Sequence, residues 1–131
     1  MPGAINEMLR YDAPAQFIAR RVIEPIDIHD LILDIDTMIA VGLGSANHDE
    51  TVFKQPDQFD IGRHPNHHLS FGAGHHFCIG SGLALLEARI FFNTLLTRYN
   101  NIKPCWLSSE SLQWRPTLSF RSPLSLPVKL S

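Results

Sequence analysis

At 131 residues the chain has the length of about one domain, and 44% hydrophobic with 18% charged residues excludes wholesale disorder. A net charge of -2 gives no basic footprint for nucleic acid, and no apolar run reaches bilayer length, so neither nucleic acid nor a membrane is expected as a partner. Residues 1–7 show no secretory signal and two cysteines make no disulfide framework, so a reducing cytoplasm with free thiols is the expectation.

The first ten residues read as a helix. Pro2 suits a first helical turn, and Ile5, Met8 and Leu9 fall on one stripe at i, i+3, i+4. Glu7 and Arg10 share a helix face, and taken alone they read as a solvated pair worth about 0.2–0.5 kcal/mol. Asp12-Ala13-Pro14 stops the helix. Gln16 to Val22 reads as a strand that sends the adjacent Arg20 and Arg21 to opposite faces, one toward solvent and one inward at an anion. Glu24 to Asp36 is expected to hold short strands with a turn near His29-Asp30. Thr37 to Leu43 is a continuous apolar run expected as a buried strand, and residues 44–49 as a short helix with Ser45 as N-cap.

Lys54 to Leu69 reads as loop, pinned to a core by Phe53 and Phe59. Ser81 to Tyr99 reads as one long helix, with Ala84, Ala88, Phe91 and Leu95 on one stripe and Leu83, Leu86 and Ile90 on the next. Two adjoining apolar stripes predict burial on most sides, in more protein than 131 residues comfortably provide. The tail carries Leu112-Gln113-Trp114, Thr117 to Phe120 and Val128 to Leu130 as short strands of a hairpin-like element.

Between loop and long helix lies Phe71-Gly72-Ala73-Gly74-His75-His76-Phe77-Cys78-Ile79-Gly80. Gly72, Gly74 and Gly80 permit backbone angles closed to other residues and close approach to a flat ligand. Cys78, where loop becomes helix, stands near free N–H groups and the positive end of the helix dipole, which favours thiolate. Three chemistries compete for it. One is a nucleophile with a histidine base. Another is a metal site with histidines drawn from His64, His67, His68 and His75. The third is thiolate ligation of haem iron. An inert buried cysteine is the fourth possibility.

Phe71-x-x-Gly74-x-x-x-Cys78-x-Gly80, with Gly72 and His76 also in place, resembles the haem-binding signature of the cytochrome P-450 superfamily, the haem-thiolate monooxygenases. Glu7-Met8-Leu9-Arg10 is similar to that family's Glu-x-x-Arg motif, and Phe59-Asp60-Ile61-Gly62-Arg63 to the segment supplying its second arginine. Leu83-Ala84-x-x-Glu87-Ala88-Arg89 and Leu126-Pro127-Val128 resemble the later helix and closing strand of bacterial members. The resemblance implies a mixed α and β, mainly helical fold, of which residues 1–131 form only the C-terminal part, with no second domain.

By that resemblance the cofactor is haem b and Cys78 is the axial ligand of its iron. Phe71 packs on the proximal face, and His76 and Arg20 bind the haem propionates. Glu7, Arg10 and Arg63 form a structural triad, which replaces the surface reading of Glu7 and Arg10 by a buried one. Ala15, Gln16, Phe17 and Ile18, with Ser119 and Phe120, face substrate. The implied reaction inserts one oxygen atom from O₂ into a small organic substrate, with electrons from a ferredoxin or flavoprotein redox partner.

The chain also departs from the family pattern. It has no counterpart of the long distal helix with its acid-alcohol pair for oxygen activation, so no catalytic residue is assigned and the isolated chain is expected to be inactive. Asp34-Ile35-Asp36 stands where a proline/glycine turn is usual, His48 where an arginine is common, and Ser122-Pro123 at a glycine-containing step. A non-catalytic haem-binding or structural remnant is the alternative reading, and a His/Cys metal-binding module a further one.

Overall fold

The computed structural model describes residues 1–106 and 112–131. Its order is α1 (Pro2–Tyr11), β1 (Phe17–Arg21), β2 (Ile26–Ile28), β3 (Leu31–Leu33), β4 (Met38–Gly42), α2 (Leu43–Ala46), a single 3₁₀ turn (Gly74–His76), α3 (Ser81–Arg98), β5 (Ile102–Pro104) and β6 (Val128–Leu130). This is the mixed α and β architecture expected, with three small antiparallel sheets of two strands each.

Pro2 lies in the first turn of α1, where its missing N–H costs no hydrogen bond, and Asp12 caps the far end as its amide donates to the Met8 carbonyl. Ile5 is buried from this helix as the apolar stripe requires, but so are Glu7 and Arg10. β1 pairs with β4 in the register Ile18↔Val41 and Arg20↔Ile39. Ile18 and Arg20 are half-buried on one face while Phe17, Ala19 and Arg21 are exposed on the other, so the two arginines part as expected. Exposed Arg21 stands 3.5 Å from Asp36. β2 and β3 form a hairpin closed at His29-Asp30, where His29 takes φ 55°.

Several expectations need correction. The run from Thr37 to Leu43 is not a buried strand: Met38 and Val41 are exposed, because β4 has a single partner strand and one covered face. Only Leu43, which starts α2, is buried there. α2 begins at Leu43 with Gly42 at its N-cap and no side-chain cap, so Ser45 does not cap it. Phe53 is a true anchor at 4% exposure, but Phe59 is exposed and leans edge-on against Tyr11, ring centroids 5.5 Å apart.

The long helix is also less enclosed than its composition predicts, since no residue of α3 is buried. Its half-buried stripe is Leu85, Ala88, Phe92 and Leu95, while Leu83, Leu86, Ile90 and Phe91 are exposed. With apolar residues on most sides, periodicity could not choose which side faces inward.

The tail folds back on itself as a hairpin-like element without regular strands: the Arg115 amide donates to the Ser122 carbonyl at 3.0 Å and the Leu124 amide to the Gln113 carbonyl at 2.7 Å. Val128–Leu130 pairs with Ile102–Pro104, Trp114 bridges to Pro123, and Phe120 bridges to Ala15. Leu112-Gln113-Trp114 and Thr117 to Phe120 therefore contribute single bridges in place of strands. Asp36, in the turn before β4, has φ 69°. This left-handed value explains why a glycine would suit the turn, and why aspartate, among the most tolerant of the other residues, can stand there.

Candidate functional site

The deepest charges in the chain belong together. Glu7 and Arg10 are both 0% exposed, and α1 places them one turn apart. Arg10 Nε and Nη2 donate to Glu7 Oε2 and Oε1 at 2.8 and 2.9 Å, a two-point fork. Arg63 Nε reaches both carboxylate oxygens at 3.2 Å. The Asp60 amide donates to Glu7 Oε1 at 2.9 Å and Asn66 Nδ2 to Oε2 at 3.0 Å.

The spare guanidinium donors are used as well. Arg10 binds the carbonyls of Asn47 and Gln58, and Arg63 those of Lys54, Gln55 and Gln58. One carboxylate and a set of carbonyl dipoles thus offset one buried and one half-buried cation, which is what makes the burial of Arg10 tolerable. Burial alone would raise the Glu7 carboxyl, but donation from Arg10, the Asp60 amide and Arg63 outweighs it and holds the group at about 2. The structure therefore gathers Glu7, Arg10 and Arg63, and the surface reading of Glu7 and Arg10 is overturned.

Asn47 joins this cluster without a signal in the sequence that singles it out. It is 0% exposed at the end of α2. Its carbonyl accepts from Arg10 Nη1 at 2.7 Å, its Oδ1 accepts from the Leu69 amide at 2.7 Å, and its Nδ2 donates to Ser70 Oγ at 2.9 Å. Ser70 Oγ in turn donates to the Leu9 carbonyl at 2.6 Å. His68 Nδ1 accepts from the Ser70 amide at 3.3 Å. Burial pulls the His68 imidazole below its ordinary value, the Arg10 charge adds to this, and Glu7 opposes it.

His48, at the position where an arginine is common, pairs its Nδ1 with Asp57 at 2.9 Å and its Nε2 with the Tyr11 carbonyl at 3.0 Å.

The cysteine loop hangs from this base. Gly72 and Gly74 take φ 72° and 64°, where a side chain would be strained. The Gly72 amide donates to the Leu69 carbonyl at 2.8 Å and the Cys78 amide to the Phe71 carbonyl at 2.8 Å, which closes the loop on itself. Cys78 is exposed, two residues ahead of Gly80 at the N-cap of α3, and its carbonyl accepts from the Ser81 amide at 3.2 Å. Gly80 does not need glycine for its backbone, since its φ is -84°. A Cβ there would meet Cys78 Sγ at 3.8 Å, ordinary contact distance. Phe71 is half-buried between His68 and Phe77, with centroids at 5.9 and 6.4 Å.

Other predicted residues fall into place separately. Arg20 donates to its neighbour's carbonyl, Ala19 O, at 2.9 Å, and His76 is exposed on the 3₁₀ turn. The stretches 15–18 and 119–120, a hundred residues apart, are brought together: the Gln16 amide donates to the Ser119 carbonyl at 2.8 Å beside the Ala15↔Phe120 bridge. Phe17 and Phe120 line an open pocket of about 250 Å³ there with Trp114 and Leu118. Among the described residues no three of His, Cys, Asp or Glu gather into a metal-binding group, so the histidines around Cys78 do not converge on it.

The cytochrome P450 family model matches residues 1–111. The chain belongs to the cytochrome P450 family. It is 46% identical over 125 residues to the biotin biosynthesis cytochrome P450 of Bacillus subtilis, covering 95% of this chain and 31% of that one. It is 41% identical over 129 residues to the polyketide biosynthesis cytochrome P450 PksS of the same organism, covering 98% and 32%. The solved structure of P450BioI with an acyl carrier protein ligated to hexadec-9Z-enoic acid superposes with TM-score 0.92 at 43% identity, over 99% of this chain and 33% of that one. That of PksS gives 0.94 at 40% identity, over 99% and 34%.

The chain thus spans about a third of the length of the P450 relatives it matches. The cofactor of the P450 family is haem b, its members are haem-thiolate monooxygenases, and they draw electrons from redox partners. No helix among the described residues is long and apolar enough to cross a membrane. The residues present fit a haem: an exposed thiol stands at the end of a loop whose Gly74 would have open space around a Cβ.

Proposed function

We propose that Cys78 is the axial thiolate ligand of haem iron and that this chain forms the proximal side of a P450 haem site. The observation that supports this best is an exposed cysteine in a glycine loop tied by hydrogen bonds to a buried Glu7–Arg10–Arg63 cluster. Phe71, Gly72, Gly74 and Gly80 shape the proximal surface, and the His76 and Arg20 side chains meet the haem propionates. When bound, the haem supplies oxygen chemistry, and the thiolate's electron donation favours cleavage of the O–O bond.

In the whole protein the reaction is insertion of one oxygen atom from O₂ into a small organic substrate. Electrons come from a ferredoxin or flavoprotein partner in the cytoplasm. The segment Ala15–Ile18, with Ser119 and Phe120, faces the substrate; the pairing of these stretches and the exposed Phe17 and Phe120 support that assignment. Residues 1–131 are one part of a single P450 domain. The described residues include no oxygen-activating helix, and on this reading the stretch expressed alone does not turn over.

Haem loading tests the reading. The reduced, CO-bound protein is expected to show the red-shifted Soret band of thiolate ligation, and Cys78→Ala is expected to abolish it while circular dichroism stays unchanged. A thiolate band that survives Cys78→Ala overturns the assignment.

A further inference from the structure

We propose that Asn47 and Ser70 are positioning residues for the cysteine loop, through which the buried arginine cluster sets where the Cys78 sulfur stands. The inference rests on the reading of Cys78 as ligand. It starts from an asymmetry in the hydrogen bonds. Asn66 donates directly to Glu7, and nearer the loop the cluster reaches the chain at Leu69 and Ser70, both of which Asn47 binds.

The connection can be followed atom by atom. Arg10 Nη1 holds the Asn47 carbonyl, which fixes the asparagine backbone at the end of α2. The Asn47 amide group then holds the Leu69 N–H and the Ser70 hydroxyl at 2.7 and 2.9 Å, and the Ser70 hydroxyl donates in turn to the Leu9 carbonyl on α1. Leu69 next uses its carbonyl to receive the Gly72 amide, and the neighbouring Phe71 carbonyl receives the Cys78 amide. Every link is 2.6–2.9 Å long.

Asn47 is suited to this place by its chemistry. An asparagine side chain presents an acceptor and a donor side by side, which matches an adjacent N–H and hydroxyl oxygen. Aspartate keeps the acceptor for Leu69 but loses the donor. The Ser70 proton would then be drawn to the carboxylate and away from Leu9, and a second buried anion would stand near Glu7. Alanine at 70 leaves both the Asn47 Nδ2 and the Leu9 carbonyl without this partner.

A purely structural pair would lower stability as a whole. A positioning pair loosens the loop ahead of the rest and changes the ligand state of sulfur at equal haem content. The difference is measurable in the protein expressed from its complete reading frame, as Ser70→Ala and Ser70→Thr, with Asn47→Asp carrying the same measurements if Ser70→Ala does not fold. In the haem-free protein, amide exchange at Gly72 and Cys78 is expected to quicken about fivefold in Ser70→Ala, for loss of about 1 kcal/mol of local bonding. The Asp60 amide, held on Glu7, serves as the internal reference and is expected to stay unchanged.

In the haem-loaded protein, the ratio of thiolate-type to non-thiolate CO complex is expected to fall about tenfold, as for loss of a supporting partner at other metal ligands, and Ser70→Thr to restore it. Equal quickening at Asp60, or an unchanged ratio per bound haem, overturns the proposal. Absence of a thiolate band in the unsubstituted protein is a different failure: it removes Cys78 as ligand, and this inference with it.

Discussion

Glu7 and Cys78 stand in opposite surroundings. Glu7 is wholly buried and accepts hydrogen bonds on both oxygens from Arg10, Arg63, Asn66 and the Asp60 amide. Cys78 is exposed, and its own hydrogen bonds run through backbone atoms, which leaves the sulfur for something outside the chain's core. The first region draws its partners from within the described residues, with Asn66 Oδ1 left unpaired; the second presents an exposed sulfur outward. A buried charge cluster that cannot relax without losing several bonds at once is a good mount for a ligand that must not drift.

The strongest way to break this comparison is to discharge its buried half. Glu7→Gln leaves two guanidiniums without their counter-charge and is expected to cost about 3–5 kcal/mol. Urea unfolding of the whole protein measures it. A loss below about 1 kcal/mol would mean that the carbonyl partners of Arg10 and Arg63 hold the base by themselves.

Acid does the same more gradually. The Glu7 carboxyl lies at about 2 when folded, against an ordinary 4.5. A depressed carboxyl contributes its stability above the unfolded value and loses it as pH falls toward the folded one. About 3 kcal/mol is therefore expected to disappear between pH 4.5 and about 2. Unfolding free energies across that window should slope steeply in the parent and less in Glu7→Gln. Exposed Asp49, lowered by the Thr51 hydroxyl and amide, remains in both proteins and leaves a residual slope.

How far the sequence reveals these two regions differs between them. The cysteine loop is legible because it sets rare residues at the spacing of a family signature, and the left-handed backbone of Gly72 and Gly74 accords with their identity. Glu7 and Arg10 are ambiguous: the same i, i+3 spacing serves a solvated pair and a buried fork, and only the resemblance separated them. Asn47 and Ser70 carried no such sign. Neither stands in a local pattern that singles it out, and their bonds span 23 and 61 residues of sequence.

Helix α3 was legible as a helix but not in its orientation. Its apolar residues surround the axis, so which of Leu85 and Phe92 or Leu83 and Ile90 turns inward depends on contacts far away in the chain. The pairing of β5 with β6 likewise depends on closure across the tail, beyond any local pattern.

Glycines divide the loop along the same line. Gly72 has φ 72° and a Cβ added there would lie 3.4 Å from the His76 carbonyl, so Gly72→Ala is expected to cost about 1–2 kcal/mol through backbone strain. Gly80 has an ordinary backbone and 3.8 Å of room against Cys78 Sγ, so Gly80→Ala is expected to change the stability of the haem-free protein by less than about 0.5 kcal/mol. Thermal unfolding of the two variants separates them. If Gly80→Ala keeps that stability yet weakens haem binding in a titration, the glycine clears space for the cofactor beside sulfur and the backbone has no need of it. If it leaves both unchanged, Gly80 belongs to neither region, and the loop's demand for glycine ends at Gly74.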